Sequence, residues 1–194
     1  SFACDKFGVF DERLKSRGTA LLMEMGTGKT IVSIAVAGCM YQRGKINRVL
    51  VVAPLSILSV WKEEFEKFAD FPYTLTVLKG TAAKKRGNLS HLPAEGLQVV
   101  VVNYESAWRL EKELLSYDAD LVIADEAHKL KENRTSQSKG MHRIGDKARY
   151  KLLLTGTVIM NRELDVFSQY RFLNPAIFGT SFYTFRNRYF DMCG

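Results

Sequence analysis

The stretch "LLMEMGTGKT", Leu21–Thr30, joins an apolar run, a glycine-rich turn and a Lys-Thr pair within ten residues. A strand that leads through such a turn into a helix predicts a phosphate-binding loop, because backbone N–H groups and the helix dipole both favour an anion there. The full P-loop pattern has a glycine five residues before Gly28, where this chain has Met23. A glycine-rich turn that carries only a surface lysine is therefore the alternative for this tract taken alone.

The residues of this loop predict how it would hold ATP. Gly26 and Gly28 let the backbone turn tightly and aim N–H groups at an anion. The ammonium of Lys29 would reach the β- and γ-phosphates, and the hydroxyl of Thr30 would bind Mg²⁺. The residues predicted to bind the nucleotide are Met25, Gly26, Thr27, Gly28, Lys29 and Thr30.

A second motif, "DEAH" at Asp125–His128, follows the apolar run "DLVIA". Two carboxylates at the end of a buried strand repel each other unless a cation is bound, so the pair predicts a metal site. Asp125 would join the Mg²⁺ shell, and Glu126 would orient or deprotonate the attacking water. An acidic helix N-terminus, which the helix dipole favours, is the alternative. The loop and the pair together favour ATP hydrolysis, with Lys29, Asp125 and Glu126 as the catalytic residues.

Apolar runs alternate along the chain with stretches of helical periodicity. Most runs are continuously apolar, which is typical of strands buried on both faces of a parallel sheet. The alternation predicts an α/β fold, with a mostly parallel central sheet and helices on both faces. Ligands bind at the carboxyl ends of such strands, which is where both motifs lie. The predicted strands are Thr19–Met23, Arg48–Ala53, Leu75–Leu78, Leu97–Asn103, Leu121–Ala124 and Lys151–Leu154; the predicted helices are Lys29–Gln42, Ile57–Phe68, Tyr104–Leu115 and Glu163–Phe172; the predicted exposed connections are Lys79–Asn88 and Lys131–Gly140.

Length and charge predict one globular domain with a basic surface. A chain of 194 residues can bury a sizeable core, and its formal net charge of +7 is weak evidence for a nucleic-acid partner. One stretch is more strongly basic, since only Glu132 and Asp146 oppose its cations, and we expect it to contact DNA phosphates. Its basic residues are Lys129, Lys131, Arg134, Lys139, Arg143, Lys147, Arg149 and Lys151.

Two classes of protein are disfavoured by the composition. No apolar run approaches the roughly 20 residues that cross a bilayer, and Ser1–Phe10 does not have the pattern of a signal peptide. Cys4, Cys39 and Cys193 lie far apart, which argues against a zinc site or a disulfide framework. We therefore expect no membrane partner and a cytoplasmic location, associated with the nucleoid in a bacterium, or a nuclear location in a eukaryote.

Five segments, in order along the chain, resemble the motifs of Swi/Snf-type ATPases of helicase superfamily two. "MEMGTGKT", Met23–Thr30, resembles motif I, which does not require a glycine at the position of Met23. "VVAPLSILSVWKEEFEKF", Val51–Phe68, is similar to motif Ia. "DEAHKLKENRTSQSK", Asp125–Lys139, resembles motif II with its Lys-rich continuation. "LLLTGTVIMN", Leu152–Asn161, resembles motif III, and "FLNPAIFG", Phe172–Gly179, resembles the segment that closes the first lobe.

The resemblance implies a RecA-like P-loop NTPase domain over residues 1–194, the N-terminal ATP-binding lobe of a translocase on double-stranded DNA. It implies that the second lobe, which carries an arginine finger, is absent from the chain, and that an adenine-reading glutamine would fall just before Ser1. Alone, such a lobe is expected to hydrolyse ATP weakly. Val158 and Met160 depart from the family's proline and glutamine after the Thr-Gly-Thr. The implied coupling residues are His128, Thr155 and Thr157, and the implied nucleic-acid contacts are Ser56, Asn103, Tyr104 and Lys131.

Two other functions remain open at this point. One is a motor that separates strands, either a helicase or a subunit of a restriction-type motor; the other is a nucleotide-dependent clamp that holds DNA without turnover. Several side chains have simpler predicted roles. Ser56 could cap a helix, Trp61 is expected in the core, and His91 and His142 are expected at the surface. Phe182–Phe190 is expected to form an amphipathic helix.

Overall fold

The central sheet of the computed structural model is parallel throughout, and the structure describes residues 5–6, 16–23, 26–130, 135–156 and 163–190. Within these residues six strands pair in the order β1-β6-β5-β2-β4-β3. Every pairing is parallel, so the carboxyl ends of all strands meet at one edge of the sheet. The strands are β1 Gly18–Leu22, β2 Arg48–Ala53, β3 Tyr73–Val77, β4 Leu97–Asn103, β5 Leu121–Ala124 and β6 Tyr150–Thr155.

The helices cover both faces of this sheet. They are α1 Lys29–Gln42, α2 Leu58–Phe68, α3 Ala82–Ser90, α4 Tyr104–Arg109, α5 Glu111–Tyr117, α6 Ser136–Lys147, α7 Glu163–Leu173, α8 Pro175–Phe178 and α9 Phe182–Tyr189. Two short 3₁₀ helices, Leu55–Ile57 and Ala127–Leu130, follow β2 and β5. Among the described helices, none is both long and apolar enough to cross a membrane.

Alternate residues of the central strands belong to two separate hydrophobic cores, because successive side chains point to opposite faces of a sheet. Val49 and Val51 pack in the first core together with Ile34 of α1 and Phe65 of α2. The second core holds Leu50, Val52 and the corresponding residues of the other central strands, with side chains of α4 to α7. Burial on both faces explains why these strands are apolar without alternation.

The structure confirms the predicted sheet and most of the predicted helices. Each of the six predicted strands is present with ends displaced by at most two residues, and α1 has the predicted bounds Lys29–Gln42. The helix predicted at Tyr104–Leu115 is divided at Leu110 into α4 and α5. The helix predicted in the segment Phe182–Phe190 is confirmed as α9, on which Phe185 is buried.

Two predicted exposed connections contain helices that the sequence did not predict. Most of Lys79–Asn88 lies in α3, and the side chain of Thr81 caps that helix by accepting a hydrogen bond from the backbone of Lys84. No residue of α3 is buried, so it has no apolar face that would reveal a helix in the sequence. Similarly, α6 begins at Ser136 and takes up the second half of Lys131–Gly140; residues 131–134 lie outside the described residues.

Candidate active site

The loop between β1 and α1 turns through two glycines with left-handed backbone. Gly26 has φ 79° and Gly28 has φ 86°, values that glycine adopts without the steric cost of a side chain. Gly28 is also the N-cap of α1, so the first N–H groups of that helix open onto the loop. Lys29 and Thr30 form the first turn. The loop therefore has the backbone geometry that binds an anion.

Lys29 folds back over this loop. Its side chain is buried, and Nζ donates a hydrogen bond of 3.0 Å to the carbonyl oxygen of Met23. The N–H of Met23 in turn donates to the carbonyl of Thr155 at the end of β6. Both hydrogen bonds of Met23 use its backbone, and its side chain packs against the hydrophobic core on one face of the sheet, so this position of the loop accommodates a residue other than glycine.

Asp125 follows β5 at the same edge of the sheet and is only 4% exposed. Its Oδ1 accepts a hydrogen bond of 2.8 Å from the N–H of Glu126, and its Oδ2 accepts one of 2.9 Å from Nε1 of Trp61. Glu126 has φ 49°, in the left-handed region that is unusual for a residue with a side chain. Such backbone strain is found most often at functional sites.

Burial governs the electrostatics of Asp125. Loss of hydration raises the pKa of its carboxyl, the charge of Glu126 raises it further, and the hydrogen bonds from Trp61 and Glu126 and the charge of Lys29 only partly oppose this. A bound divalent cation would stabilise the ionised form of both carboxylates. The charges of Asp125 and Glu126 therefore suit a site that holds a cation.

A cavity of about 380 Å³ joins the loop to these carboxylates. It offers backbone N–H groups and an ammonium for phosphate oxygens, together with hydroxyl and carboxylate oxygens, the ligands that Mg²⁺ prefers. The donor set therefore fits the triphosphate of ATP with its metal ion. The cavity is lined by Gly26, Gly28, Lys29, Thr30, Ile31, Ile57, Val60, Trp61, Glu64, Asp125 and Glu126.

The remaining predicted ATP-site and coupling residues are only partly described. Met25, Thr157 and the side chain of His128 lie outside the described residues, as does Lys131 of the predicted nucleic-acid contacts. Thr155 is fully buried at the end of β6, and its carbonyl is the group that Met23 contacts. The coupling roles of these residues remain predictions.

The structure corrects two expectations for the nucleic-acid contacts. Tyr104 is buried, and its hydroxyl donates a hydrogen bond of 2.7 Å to the carbonyl of Asp125, so its side chain is part of the core rather than of a DNA surface. Ser56 is exposed but does not cap a helix, because it lies inside the 3₁₀ helix and the N-cap of α2 is Ile57. An exposed Ser56 remains accessible to a ligand.

Asn103 lines a second cavity, of about 500 Å³, at the same edge of the sheet. The residue is 9% exposed, and in the part of the chain that the structure describes its buried Oδ1 has no hydrogen-bond partner. Lys79 and Lys85 line this cavity as well, together with Arg109, which forms an ion pair of 2.9 Å with Glu105 of the same lining. Lys85 donates a hydrogen bond of 2.6 Å to the hydroxyl of Ser106. The lysine side chains are the donors that suit an anionic ligand, whereas the Oδ1 atom of Asn103 is an acceptor and would need a donor.

Lys79 and Lys85 line this cavity and are not among the nucleic-acid contacts predicted from the sequence. The signal was present, because "KGTAAKKRGN" is a basic run directly after a predicted strand.

In the stretch from Lys129 to Lys151, the sequence predicted more unpaired cations than the structure shows. Arg143 is bonded to Glu111 and Lys147 to Asp118, while Lys151 is buried. Of the described cations there, several are therefore neutralised within the domain, and the predicted cationic face is wrong for them.

His142 is a further correction, since it is buried instead of lying at the surface. Its Nε2 lies 3.0 Å from the carbonyl oxygen of Ser168 on α7, so that nitrogen carries the proton and donates it. Burial lowers the pKa of His142 from 6.5 to about 4. The ring is thus a neutral link between α6 and α7, whereas His91 is exposed as predicted.

Comparison with known proteins identifies the family to which the sequence of this chain is similar. The SNF2-related domain matches residues 9–193. The DNA repair and recombination protein RAD54 of Oryza sativa subsp. japonica is 33% identical over 190 residues, which are 91% of this chain and 19% of that protein. Chromodomain-helicase-DNA-binding protein 1-like of Mus musculus is 34% identical over 166 residues, 83% of this chain and 18% of that protein. The chain spans about a fifth of the length of the curated relatives it matches.

A solved structure confirms the predicted fold. The Sulfolobus solfataricus SWI2/SNF2 ATPase core in complex with dsDNA superposes on this chain with a TM-score of 0.77 and 29% sequence identity. The match covers 94% of this chain and 36% of that chain. The RecA-like α/β architecture and the resemblance to Swi/Snf-type ATPases, both predicted from the motifs, are therefore confirmed.

Proposed function

The chain belongs to the SNF2-related domain family, and on that premise we propose that it is the ATP-hydrolysing lobe of a translocase on double-stranded DNA. The RAD54 relative is named for DNA repair and recombination, and the SWI2/SNF2 core with a similar fold is bound to dsDNA. Such a protein works wherever the DNA lies, at the nucleoid or in the nucleus.

One observation supports the ATP site most strongly. Lys29 of the loop and Asp125 of the second motif, 96 residues apart in the sequence, line the same cavity. A glycine-rich turn alone would not need a buried carboxylate beside it, and an acidic helix start alone would not need a buried lysine. Their convergence at the carboxyl edge of a parallel sheet is the arrangement expected of a nucleotide site.

Each side of the cavity performs one task in this proposal. The loop N–H groups and the ammonium of Lys29 hold the phosphates and offset their negative charge. Thr30 and Asp125 would hold Mg²⁺, which would supply positive charge to the phosphate oxygens. The carboxylate of Glu126 orients the attacking water and accepts its proton.

The cavity around Asn103 supplies the DNA surface in this proposal. Lys79 and Lys85 provide the positive charge that phosphate oxygens require, whereas Arg109 is paired with Glu105. Ser56 is exposed next to Leu55, which lines the same cavity. Contacts of this kind fix a protein on the phosphate backbone and carry little sequence information.

The proposal also predicts that this chain turns ATP over slowly by itself. Phosphoryl transfer depends on positive charge at the transition state, and an arginine supplied by a partner domain contributes about 10³–10⁵ in rate. The resemblance to Swi/Snf-type ATPases implies that this arginine belongs to a second RecA-like lobe. The second lobe is therefore the protein partner that completes the site.

ATP hydrolysis by the 194-residue chain, with and without duplex DNA, tests this proposal. We expect slow, Mg²⁺-dependent turnover that Glu126→Gln abolishes and that duplex DNA accelerates little. No Mg²⁺-dependent turnover or ATP binding would contradict the nucleotide site, and brisk DNA-stimulated turnover would contradict the need for a second lobe. With a protein that contains both lobes, a strand-displacement assay separates translocation, which leaves the duplex intact, from strand separation.

A further inference from the structure

Helix α2 reaches into the candidate ATP site through one polar atom. Trp61 is 1% exposed, and its Nε1 donates a hydrogen bond of 2.9 Å to Oδ2 of Asp125. The two residues are 64 positions apart in the sequence. This contact connects the layer of helices on one face of the sheet to the carboxylate side chain at the end of β5.

Trp61 does more than fill the core. Phe65, one turn later on α2, is also fully buried in the same core, and the two rings lie 6.4 Å apart. A phenylalanine at position 61 would supply similar apolar packing without an N–H group. A buried indole N–H needs an acceptor. The acceptor of the Trp61 N–H is the carboxylate proposed to hold the metal.

The carboxylate of Asp125 is held at both oxygens. Oδ1 accepts from the backbone N–H of Glu126, which belongs to the same turn, whereas Oδ2 accepts from Trp61 on a different layer. Each oxygen of an ionised carboxylate has a second lone pair for another ligand. Two fixed hydrogen bonds therefore restrict the rotation of the side chain and leave it able to bind a cation.

We propose that Trp61 is a positioning residue for the metal: its indole N–H fixes the carboxylate of Asp125 in the orientation that binds Mg²⁺. This inference rests on the proposed function, because it assigns Trp61 a role at the same site. Trp61 acts through Asp125 and does not itself supply a ligand to the ion. Outer partners of this kind typically change metal affinity or activity by 10- to 100-fold.

The hydrogen bond itself is tested without nucleotide. The chain has two tryptophans, Trp61 and Trp108, so its ¹H–¹⁵N spectrum contains two indole signals. The signal that disappears in Trp108→Phe belongs to Trp108, and the signal that remains belongs to Trp61. We expect Asp125→Ala to move the Trp61 signal and to leave the Trp108 signal in place. An unmoved Trp61 signal would overturn the proposal, whatever the chain does with ATP.

The role of that bond is tested by titrating Mg²⁺ at a fixed concentration of ATP. Trp61→Phe should weaken Mg²⁺ binding by roughly 10- to 100-fold and leave the affinity for metal-free ATP unchanged, while Trp108→Phe, the matched control, should change neither. Equal Mg²⁺ affinity in the original chain and Trp61→Phe would overturn the proposal. Loss of metal-free ATP binding as well would also overturn it, because that pattern indicates a general structural role.

A measurement on the unsubstituted chain decides the question if Trp61→Phe does not fold. Mg²⁺ added to the ATP-saturated chain should move the indole signal of Trp61 and not that of Trp108. If Mg-ATP binds and the Trp61 signal stays in place, the positioning role is wrong while the proposed function stands. If the chain binds no Mg-ATP at all, the proposed function fails, and the role of Trp61 at a metal site fails with it.

Discussion

The hydroxyl of Tyr104 donates a hydrogen bond of 2.7 Å to the backbone carbonyl of Asp125. Tyr104 is the first residue of α4, directly after Asn103 of the proposed DNA surface, and Asp125 is the proposed metal ligand. Burial, followed by the charges of Asp125 and Glu126, raises the pKa of Tyr104 well above 10.0, so the phenol remains a donor. One hydrogen bond thus links the start of α4, next to Asn103, to the backbone of the proposed metal ligand.

Tyr104→Phe should lower the stability of the domain by about 1–3 kcal/mol, because it leaves the buried carbonyl of Asp125 without this donor. Denaturant unfolding of the two proteins measures the difference. Tyr189→Phe on α9, where the ring is half exposed, is the matched control and should change stability by no more than about 0.5 kcal/mol. Equal effects of the two substitutions would contradict a structural role for the Tyr104 hydroxyl.

Glu126 and Asp125 should respond differently to loss of charge. Glu126→Gln should still bind Mg-ATP and fail to hydrolyse it, since its proposed partner is the water. Asp125→Asn should weaken Mg²⁺ binding, because the charge that holds the cation is removed. Calorimetric titrations of ATP with and without Mg²⁺ measure both effects. Identical losses of Mg-ATP affinity in the two variants would refute this division of roles.

His142 should make the domain sensitive to mild acid. Burial lowers its pKa to about 4, against 6.5 for an ordinary histidine, so below pH 6.5 the unfolded chain binds a proton that the folded chain does not. The contribution of His142 to the free energy of unfolding is constant above pH 6.5. It is lost as the pH falls from 6.5 towards about 4, and the total loss is roughly 3 kcal/mol. Unfolding free energies measured across this range check the slope.

The control for this pH effect is a histidine at the surface. His142→Gln keeps a hydrogen-bond donor and cannot titrate, so its stability should fall less steeply between pH 6.5 and 4 than that of the original chain. Arg143, Asp146 and Arg171, the other charged groups near the ring, stay in place. His91→Gln should follow the original profile, and a slope that His142→Gln leaves unchanged would show that another group titrates.

DNA binding should depend on the cations of the second cavity. Lys85→Ala should weaken binding to duplex DNA uniformly across sequences and reduce the slope of log affinity against log salt by about one, as expected for one lost phosphate contact. Lys147→Ala is the control. Because Lys147 is paired with Asp118, this substitution should change the slope little. A larger effect at Lys147 would restore the cationic stretch from Lys129 to Lys151 as the DNA surface.

The features that the sequence predicted are those set by neighbouring residues. Continuous apolar runs identify strands buried on both faces, and the glycines at Gly26 and Gly28 identify a turn whose left-handed backbone the structure then shows. The order of the motifs was sufficient for the family. Each strand, turn or motif is recognised from a short continuous segment, so no knowledge of the tertiary fold was needed to read it.

The features that the sequence did not predict depend on partners brought from elsewhere. His142 meets Ser168 and Trp61 meets Asp125, so neither the burial of the first nor the hydrogen bond of the second is visible in local sequence. The helix α3 was missed because it has no buried face. The cations between Lys129 and Lys151 were misjudged because their acidic partners, such as Glu111, lie on another helix.

Calorimetric titration of Mg-ATP into the chain and into Lys29→Ala tests the central claim most directly. Lys29 supplies the ammonium of the phosphate loop, and removal of a charge-assisted contact of roughly 1.5–3 kcal/mol weakens affinity by about tenfold to a hundredfold. Lys62→Ala, at an exposed lysine of α2, should bind as the original chain does. Two results would contradict the assignment of this chain as an ATP-binding lobe. One is that the original chain does not bind Mg-ATP, and the other is that Lys29→Ala binds it with unchanged affinity.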